Sequence, residues 1–192
     1  YFTIEDGRDL GFTCEAYASY RTDLTQTEDK LFSGMDSACR RCIRKAEKSG
    51  VVIEEAHDPD FADEYYEQLK EVFAKQGLVP PYPVERVRAL VRNLEPTGRI
   101  LLVRARDPQG NCIATGIFPG FNKIAEFWGT MGNGHRWKPA VYAVITVALK
   151  ESPMRAGPMV TTTLTRTLQR DLPTTDNLLM HIGGTVYDTA VV

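Results

Sequence analysis

Residues 39–53 read CRRCIRKAEKSGVVI, and the interpretation of the fold starts from this stretch. Apolar side chains recur around it at helical spacing and form one stripe, made of Met35, Cys39, Cys42, Ile43 and Ala46. Cations occupy the remaining surface: Arg40, Arg41, Arg44, Lys45 and Lys48. Gly50 follows the last basic turn, at the position where helices commonly end in the left-handed conformation. The stretch therefore predicts a basic amphipathic helix over 36–49 that runs directly into a strand over 51–56.

The basic helix is a local feature of a slightly acidic chain. The 192 residues carry a formal net charge of −2, and 43% are hydrophobic and 25% charged, which is typical of a folded globular protein. A dedicated nucleic-acid-binding domain more often has a basic excess overall. No apolar stretch reaches the length of a transmembrane helix, and the first residues do not resemble a secretory leader, so we expect a cytoplasmic protein.

The four cysteines do not predict a metal site. Cys39 and Cys42 have the C-x-x-C spacing, but no second pair and no His-x-His partner completes a zinc-binding set. Both lie on the apolar stripe of the predicted helix, where a free thiol behaves as a small hydrophobic group. We expect buried thiols here rather than a metal or redox pair.

The remaining pattern predicts alternating helices and strands. Helical spacing favours one helix from Asp58-Pro59 to Gly77 and another from Pro83 to Leu94. Strands are predicted over 100–103, 112–118 and 124–131, with a proline- and glycine-containing hairpin turn over 107–111, and a buried helix is predicted over 140–150. The order indicates an α/β (α+β) chain with an antiparallel meander in its middle.

That order of elements resembles the GNAT acyltransferase fold. The pattern MxxxCRxxIRKAEKxGVxI over residues 35–53 is similar to the FemAB-like branch of this superfamily. Residues 110–116 resemble the family's glycine-x-x-x-alanine strand, and Trp137-Lys138-Pro139 lies where the family often has a proline before its central helix. The resemblance covers residues 35–150 and implies a mixed, largely antiparallel sheet flanked by helices.

Three regions follow from the resemblance. Residues 1–34 are expected to form a short strand or an N-terminal arm, and residues 35–150 the GNAT-like acyltransferase core. Residues 151–192 form a divergent or aberrant C-terminal segment, because Gly183-Gly184 and Tyr187-Asp188 stand in the reverse of the family's order. Whether this last segment completes the sheet stays open.

The resemblance implies transfer of an acyl or aminoacyl group to an amine, by direct attack on an activated thioester or ester in a ternary complex. Glu126, on the third strand, is the candidate general base, and His135, in a glycine-rich loop, is a candidate proton relay. Each also has a plainer interpretation as a solvated surface residue.

The candidate binding residues lie at three places. Arg136 and Lys138 could hold a phosphate at the start of the central helix, and Arg44 and Lys45 could do so on the basic helix. Tyr82 lies between the first two core helices, where acceptor loops occur in this fold. Solubility and packing are the alternative roles.

The donor class has two alternatives. Acyl-CoA is the usual donor in this fold, but the turn over 131–138 does not match the family's pyrophosphate-binding spacing, so aminoacyl-tRNA is the other candidate. The acceptor class is a small-molecule, saccharide or cell-wall amine. Two further hypotheses for the function remain. One is a non-catalytic half-domain or interaction module of a larger enzyme, and the other is an RNA-contacting protein. The pattern predicts no metal and indicates no oligomeric state.

Overall fold

The computed structural model describes residues 4–13, 15–21, 26–121, 124–125, 128–132 and 185–191. The helices are α1 (Ile4–Asp9), α2 (Glu28–Gly34), α3 (Ser37–Lys48), α4 (Phe61–Ala74) and α5 (Val84–Leu94), and α5 continues into a 3-10 turn at Glu95–Thr97. The strands are β1 (Glu15–Arg21), β2 (Val52–Glu55), β3 (Ile100–Arg106), β4 (Cys112–Phe121), β5 (Ile124–Ala125), β6 (Gly129–Gly132) and β7 (Thr185–Val191).

The central sheet is antiparallel throughout its described strands. Its order is β2-β3-β4-β6, and the short strand β5 pairs with the far end of β4. β1 and β7 form a separate two-stranded antiparallel ribbon. The predicted largely antiparallel sheet flanked by helices is confirmed, with strand β2, helices α4 and α5, and then the meander in chain order.

The predicted basic helix is confirmed as α3. The Asp36 carboxylate accepts a hydrogen bond from the backbone N–H of Cys39 at 2.7 Å and so caps the first turn. Four members of the predicted stripe are buried, and Cys42 is half-buried. At the other end Gly50 has a φ of 71°, and the Val51 N–H reaches back to the Ala46 carbonyl at 3.1 Å. The helix therefore ends where the sequence indicates, and β2 starts at Val52, two residues after Gly50.

One face of the sheet packs on α4 and α5. The core between them is made of Ala56, Phe61, Ala62, Tyr65, Leu69, Val87, Val91, Ile100, Leu102 and Ile117. The continuous apolar run in β3 is buried on both faces, as its composition predicts. Among the residues described, no helix is long and apolar enough to cross a membrane.

The start of α4 differs from the prediction. Asp58 and Pro59 do not begin the helix; the N-cap position is Asp60, whose side chain makes no capping hydrogen bond. The strongest partner of the Asp58 carboxylate is Arg104, and the backbone N–H of Phe61 contributes less to lowering its pKa, because a hydrogen bond between two charged groups is stronger than one from a neutral N–H. The predicted start was therefore wrong by two residues.

The meander and the N-terminal arm differ in detail as well. β4 continues to Phe121, three residues beyond the predicted end at 118, and the described part of the third predicted strand comprises β5 and β6. The arm contains the predicted strand but also helices α1 and α2, whose short length hides their periodicity. The helix predicted over 140–150 lies outside the described residues.

Gly50→Ala should destabilise the protein more than Gly98→Ala. Both glycines have left-handed φ angles, 71° and 64°, which cost a residue with a Cβ about 1–2 kcal/mol. A Cβ at Gly50 would also lie 3.2 Å from Cγ of Pro108 in the β3–β4 turn, whereas one at Gly98 meets nothing within 4 Å. Urea unfolding of the two variants measures the difference. Equal losses of unfolding free energy in the two variants would mean that Pro108 moves away from the new Cβ at no energetic cost.

Candidate functional site

Polar side chains from three neighbouring strands share the sheet face that α4 covers. The register pairs Glu54 on β2 with Arg104 on β3, and Arg104 with Thr115 on β4. Directly paired residues of an antiparallel sheet lie side by side on one face. Arg104 is only 5% exposed, and its guanidinium lies 5.7 Å from the centre of the Phe61 ring of α4. A buried cation at this place requires partners close by.

Three carboxylates surround Arg104. Its Nη2 donates to Asp58 Oδ2 at 2.6 Å, and its Nε lies 3.3 Å from Glu64 Oε2 and 3.7 Å from Glu54 Oε1. The contact with Glu64 is a charge pair without hydrogen-bond geometry, since neither Nε nor Oε2 makes a hydrogen bond. The hydrogen bond from Arg104 lowers the pKa of Asp58 below its ordinary value.

Arg106 extends this ion-pair network to the β3–β4 turn. Its Nε donates to Glu54 Oε1 at 2.8 Å, which raises the pKa of Arg106, and its Nη1 donates to the Gly110 carbonyl at 3.1 Å. We call Glu54, Asp58, Glu64, Arg104 and Arg106 the Arg104 network. It joins β2, the β2–α4 loop, the first turn of α4 and β3.

An open groove of about 700 Å³ runs along α4 beside this network. Its floor includes Gln68, which accepts a hydrogen bond from the Thr115 hydroxyl at 2.9 Å, and Cys112, whose carbonyl accepts from Gln68 at 3.4 Å. Burial raises the pKa of the Cys112 thiol to about 11, so the thiol is protonated and weakly nucleophilic at neutral pH. The groove therefore offers no activated nucleophile.

Tyr82 is held in place by contacts with α4. Its hydroxyl lies 3.3 Å from the Tyr65 hydroxyl, and the Tyr66 hydroxyl donates to its backbone carbonyl at 2.9 Å. Tyr65 is fully buried, and burial raises its pKa well above the ordinary value, so it stays a neutral phenol. The proline-flanked position identified from sequence thus carries a half-buried side chain with a fixed hydroxyl.

The loop that carries Tyr82 also meets the start of β6. The Trp128 ring lies edge-on to the Tyr82 ring, with centres 6.4 Å apart at 89°, and the Trp128 N–H donates to the Ile117 carbonyl at 3.1 Å. Arg86, in the first turn of α5, lies over both rings, 5.5 Å from the centre of Tyr82 and 5.7 Å from that of Trp128. We call Tyr65, Tyr82, Arg86 and Trp128 the aromatic cluster.

The cations of α3 divide into two groups. Arg40 is half-buried and donates to the carbonyls of Ser33, at 2.9 Å, and Met35, so it closes the end of α2. Arg44 is exposed and lies 5.4 Å from the centre of the Phe32 ring. Lys45 is exposed to solvent. A role in donor binding stays a prediction for Arg44 and Lys45.

The other sequence-derived candidates lie outside the described residues. These are Glu126, His135, Arg136 and Lys138, and their roles stay predictions. Within the described ranges, no group of three or more His, Cys, Asp or Glu side chains is arranged to hold a metal ion.

Sequence reasoning missed Arg104, Tyr65, Arg86 and Trp128. A charged residue inside the apolar run of β3 was the signal that could have identified Arg104.

Comparison with known proteins agrees with this fold. Residues 34–117 match the family described as acetyltransferase (GNAT) domain. FemX superposes with a TM-score of 0.75 at 9% identity, over 95% of this chain and 65% of FemX. No curated protein sequence matches the chain.

Two more solved structures show the same fold. The C-terminal domain of a protein named as a lysylphosphatidylglycerol synthetase from Agrobacterium fabrum superposes with a TM-score of 0.61 at 13% identity, over 97% of this chain and 63% of that one. A tandem GNAT protein from the clavulanic acid biosynthesis pathway superposes with a TM-score of 0.52 at 14% identity, over 96% and 55%. The chain spans less than two thirds of all three structures.

The resemblance to the GNAT-like acyltransferase superfamily is therefore confirmed. Residues 34–117 match the GNAT domain family, and FemX is among the solved structures that share the GNAT-like fold.

Asp58→Asn should destabilise the protein at neutral pH by about 1–3 kcal/mol, because the buried Arg104 loses its hydrogen-bonded counter-charge. The pKa of Asp58 is lowered in the folded state, so its stabilisation is present above the unfolded value near 3.9 and is lost as pH falls through the folded pKa. Urea unfolding from pH 7 downward should show that the difference in unfolding free energy between the parent and Asp58→Asn shrinks below about pH 4. The control is Asp63→Asn, which breaks an exposed pair with Arg88 and should change stability by less than about 1 kcal/mol. A difference that persists unchanged in acid would contradict this account.

Proposed function

We propose that the protein is an acyltransferase that moves an acyl or aminoacyl group from an activated thioester or ester to an amine acceptor. The observation that carries the proposal is the aromatic cluster, which sets the fixed hydroxyl of Tyr82 at the junction of the α4–α5 loop and the start of β6. The GNAT-like fold supports the reaction class. The acceptor, a small-molecule, saccharide or cell-wall amine, would bind against Tyr82.

The proposed reaction is a direct transfer in a ternary complex. The amine nitrogen attacks the carbonyl carbon of the donor, a C–N bond forms, and the C–S or C–O bond to the leaving group breaks. Glu126 accepts the proton that the amine loses, directly or through His135, and the leaving thiolate or alkoxide takes up a proton. Positioning of the two reactants supplies much of the rate acceleration.

Two donor classes fit the proposal. Acyl-CoA is the first, and an aminoacyl-tRNA is the second, supported by the neighbour whose name is lysylphosphatidylglycerol synthetase. Both carry phosphates, which Arg44 and Lys45 on α3 and Arg136 and Lys138 before the central helix would bind. Both are cytoplasmic molecules, which agrees with the expected cytoplasmic location.

A second candidate is a non-catalytic GNAT-like half-domain or interaction module of a larger enzyme. It is favoured by the extent of the structural matches, since the chain spans 65% of FemX and 55% of the tandem GNAT protein. It predicts a folded protein that binds neither donor.

Acetyl-CoA should raise the melting temperature of the protein in a saturable way, because a ligand that binds only the folded state stabilises it by mass action. Arg44→Glu combined with Lys45→Glu should weaken this response by about tenfold in concentration, since two phosphate-binding charges are reversed. The control is Arg8→Glu with Arg92→Glu, which changes the net charge equally at exposed positions elsewhere.

A matched titration with adenosine diphosphate tests whether the acyl-pantetheine part of acetyl-CoA contributes to binding. A titration with an aminoacyl-tRNA tests the second donor class. A response to the tRNA alone selects the second donor class. A cooperative melt that neither donor shifts would favour the non-catalytic candidate, and an unchanged response in the α3 variant would remove Arg44 and Lys45 from the donor site.

Glu126→Gln should lower kcat for acyl transfer by about 10²–10⁴-fold without changing the melting temperature, because the amide cannot accept the amine proton. Glu55→Gln is the control, since Glu55 is an exposed carboxylate on β2. Transfer is measured by release of free thiol from acyl-CoA in the presence of a panel of amines. Unchanged turnover would remove Glu126 from the role of general base.

A further inference from the structure

Arg86 is a cation placed on an aromatic surface inside the candidate acceptor site. Its guanidinium lies within 5.7 Å of the ring centres of both Tyr82 and Trp128, yet the side chain is exposed. Contact with ring faces restricts where an arginine can move, and the N–H groups at the guanidinium edge remain able to donate hydrogen bonds. Arg86 therefore combines a fixed location with donors that face solvent.

The neighbouring Arg88 shows what an ordinary surface arginine does in this part of α5. Its guanidinium lies 2.6 Å from Asp63 and 3.5 Å from Glu85, so the nearby carboxylates are directed to it. No carboxylate in the described part of the chain pairs with Arg86. Among the described residues, the charge of Arg86 is compensated only by the weak attraction of two aromatic rings.

The rings beneath Arg86 are themselves anchored. Tyr82 is fixed by the buried Tyr65 hydroxyl and by the Tyr66 hydroxyl, and Trp128 is fixed through its backbone to β4. A flexible arginine loses much of its rotational freedom when it binds an anion, and prior contact with a rigid surface reduces this cost. The cluster thus holds the guanidinium ready for an oxyanion.

We propose that Arg86 determines acceptor specificity by binding an oxyanion, a carboxylate or a phosphate, that the acceptor carries close to its reactive amine. The inference rests on the proposed function, because it assigns a substrate class to that same site. A guanidinium pairs with either oxyanion through two parallel N–H···O bonds, whereas a lysine ammonium binds as a point charge. Neutral amines would lack this contact and bind more weakly.

Fluorescence of Trp128 tests the proposal without a donor. The chain has two tryptophans, so Trp137→Phe leaves Trp128 as the single reporter beside Arg86. The probes are two matched pairs at constant ionic strength: β-alanine against propylamine, and phosphoethanolamine against ethanolamine. We expect a saturable change in emission with at least one anionic amine and no saturable change with its neutral partner. The pair that responds identifies the carboxylate or the phosphate.

Substitutions at Arg86 should then separate binding from structure. In the Trp137→Phe background, Arg86→Gln should weaken the response by at least about tenfold, and Arg86→Lys should retain an intermediate response. Arg88→Gln is the matched control and should respond like the parent. A response that survives in Arg86→Gln, or equal responses to the anionic and neutral amines, would overturn the proposal. So would the absence of any saturable response in a parent protein that melts cooperatively.

The donor titration distinguishes this failure from a failure of the proposed function. If acetyl-CoA or the aminoacyl-tRNA still shifts the melting temperature while no anionic amine binds, the transferase proposal survives and the role of Arg86 is rejected. If the anionic amine binds through Arg86 but neither donor binds, the cluster is a ligand site and transferase activity is rejected. The donor titration therefore tests the transferase proposal, and the amine titration tests the role of Arg86.

Discussion

The buried guanidinium of Arg104 is the constraint on which the arrangement of the candidate site depends. It lies at the centre of the sheet face that α4 covers, and its three carboxylate partners come from β2, from the β2–α4 loop and from α4 itself. A buried ion pair adds little net stability over an apolar core of the same shape, but separating its charges is costly. A movement of α4 away from the sheet would separate Arg104 from Glu64, so the network opposes such a movement.

That position also fixes the aromatic cluster. Phe61, Glu64, Tyr65 and Gln68 recur at three- and four-residue spacing, so they share one face of α4. Glu64 contacts Arg104, Gln68 bonds to Thr115, and Tyr65 presents its hydroxyl to Tyr82. One face of α4 thus contacts both the Arg104 network, between the helix and the sheet, and the α4–α5 loop that carries Tyr82. A shift of α4 along its axis would break both sets of contacts together.

The features that the sequence revealed are those that depend on local spacing. The amphipathic period of α3, the left-handed Gly50 and the apolar run of β3 are properties of neighbouring residues, and all appear where they were predicted. The contacts that build the site join residues far apart in the chain, such as Asp58 with Arg104 and Tyr82 with Trp128. Asp58 illustrates the difference, because its spacing fits a helix cap, whereas its strongest hydrogen bond goes to a charge 46 residues away. Local propensity identifies nearby backbone partners for a side chain such as Asp58, but it cannot show that a distant residue such as Arg104 will lie beside it in the folded protein.

The distribution of cations extends this argument from structure to substrates. A chain with a formal charge of −2 does not attract anions at long range, so anion binding must come from cations placed where the anion arrives. Screening at physiological ionic strength limits each such charge to about 8 Å. Arg40 closes a helix and Arg104 is buried, which leaves Lys45 and Arg44 on α3 and Arg86 on the aromatic cluster among the exposed candidates. In the proposed ternary complex, two phosphate- or carboxylate-bearing reactants would repel each other, and each would need a cation of its own. Separate cationic positions on α3 and α5 would meet that requirement, because neutralising one reactant would not use the charge that holds the other.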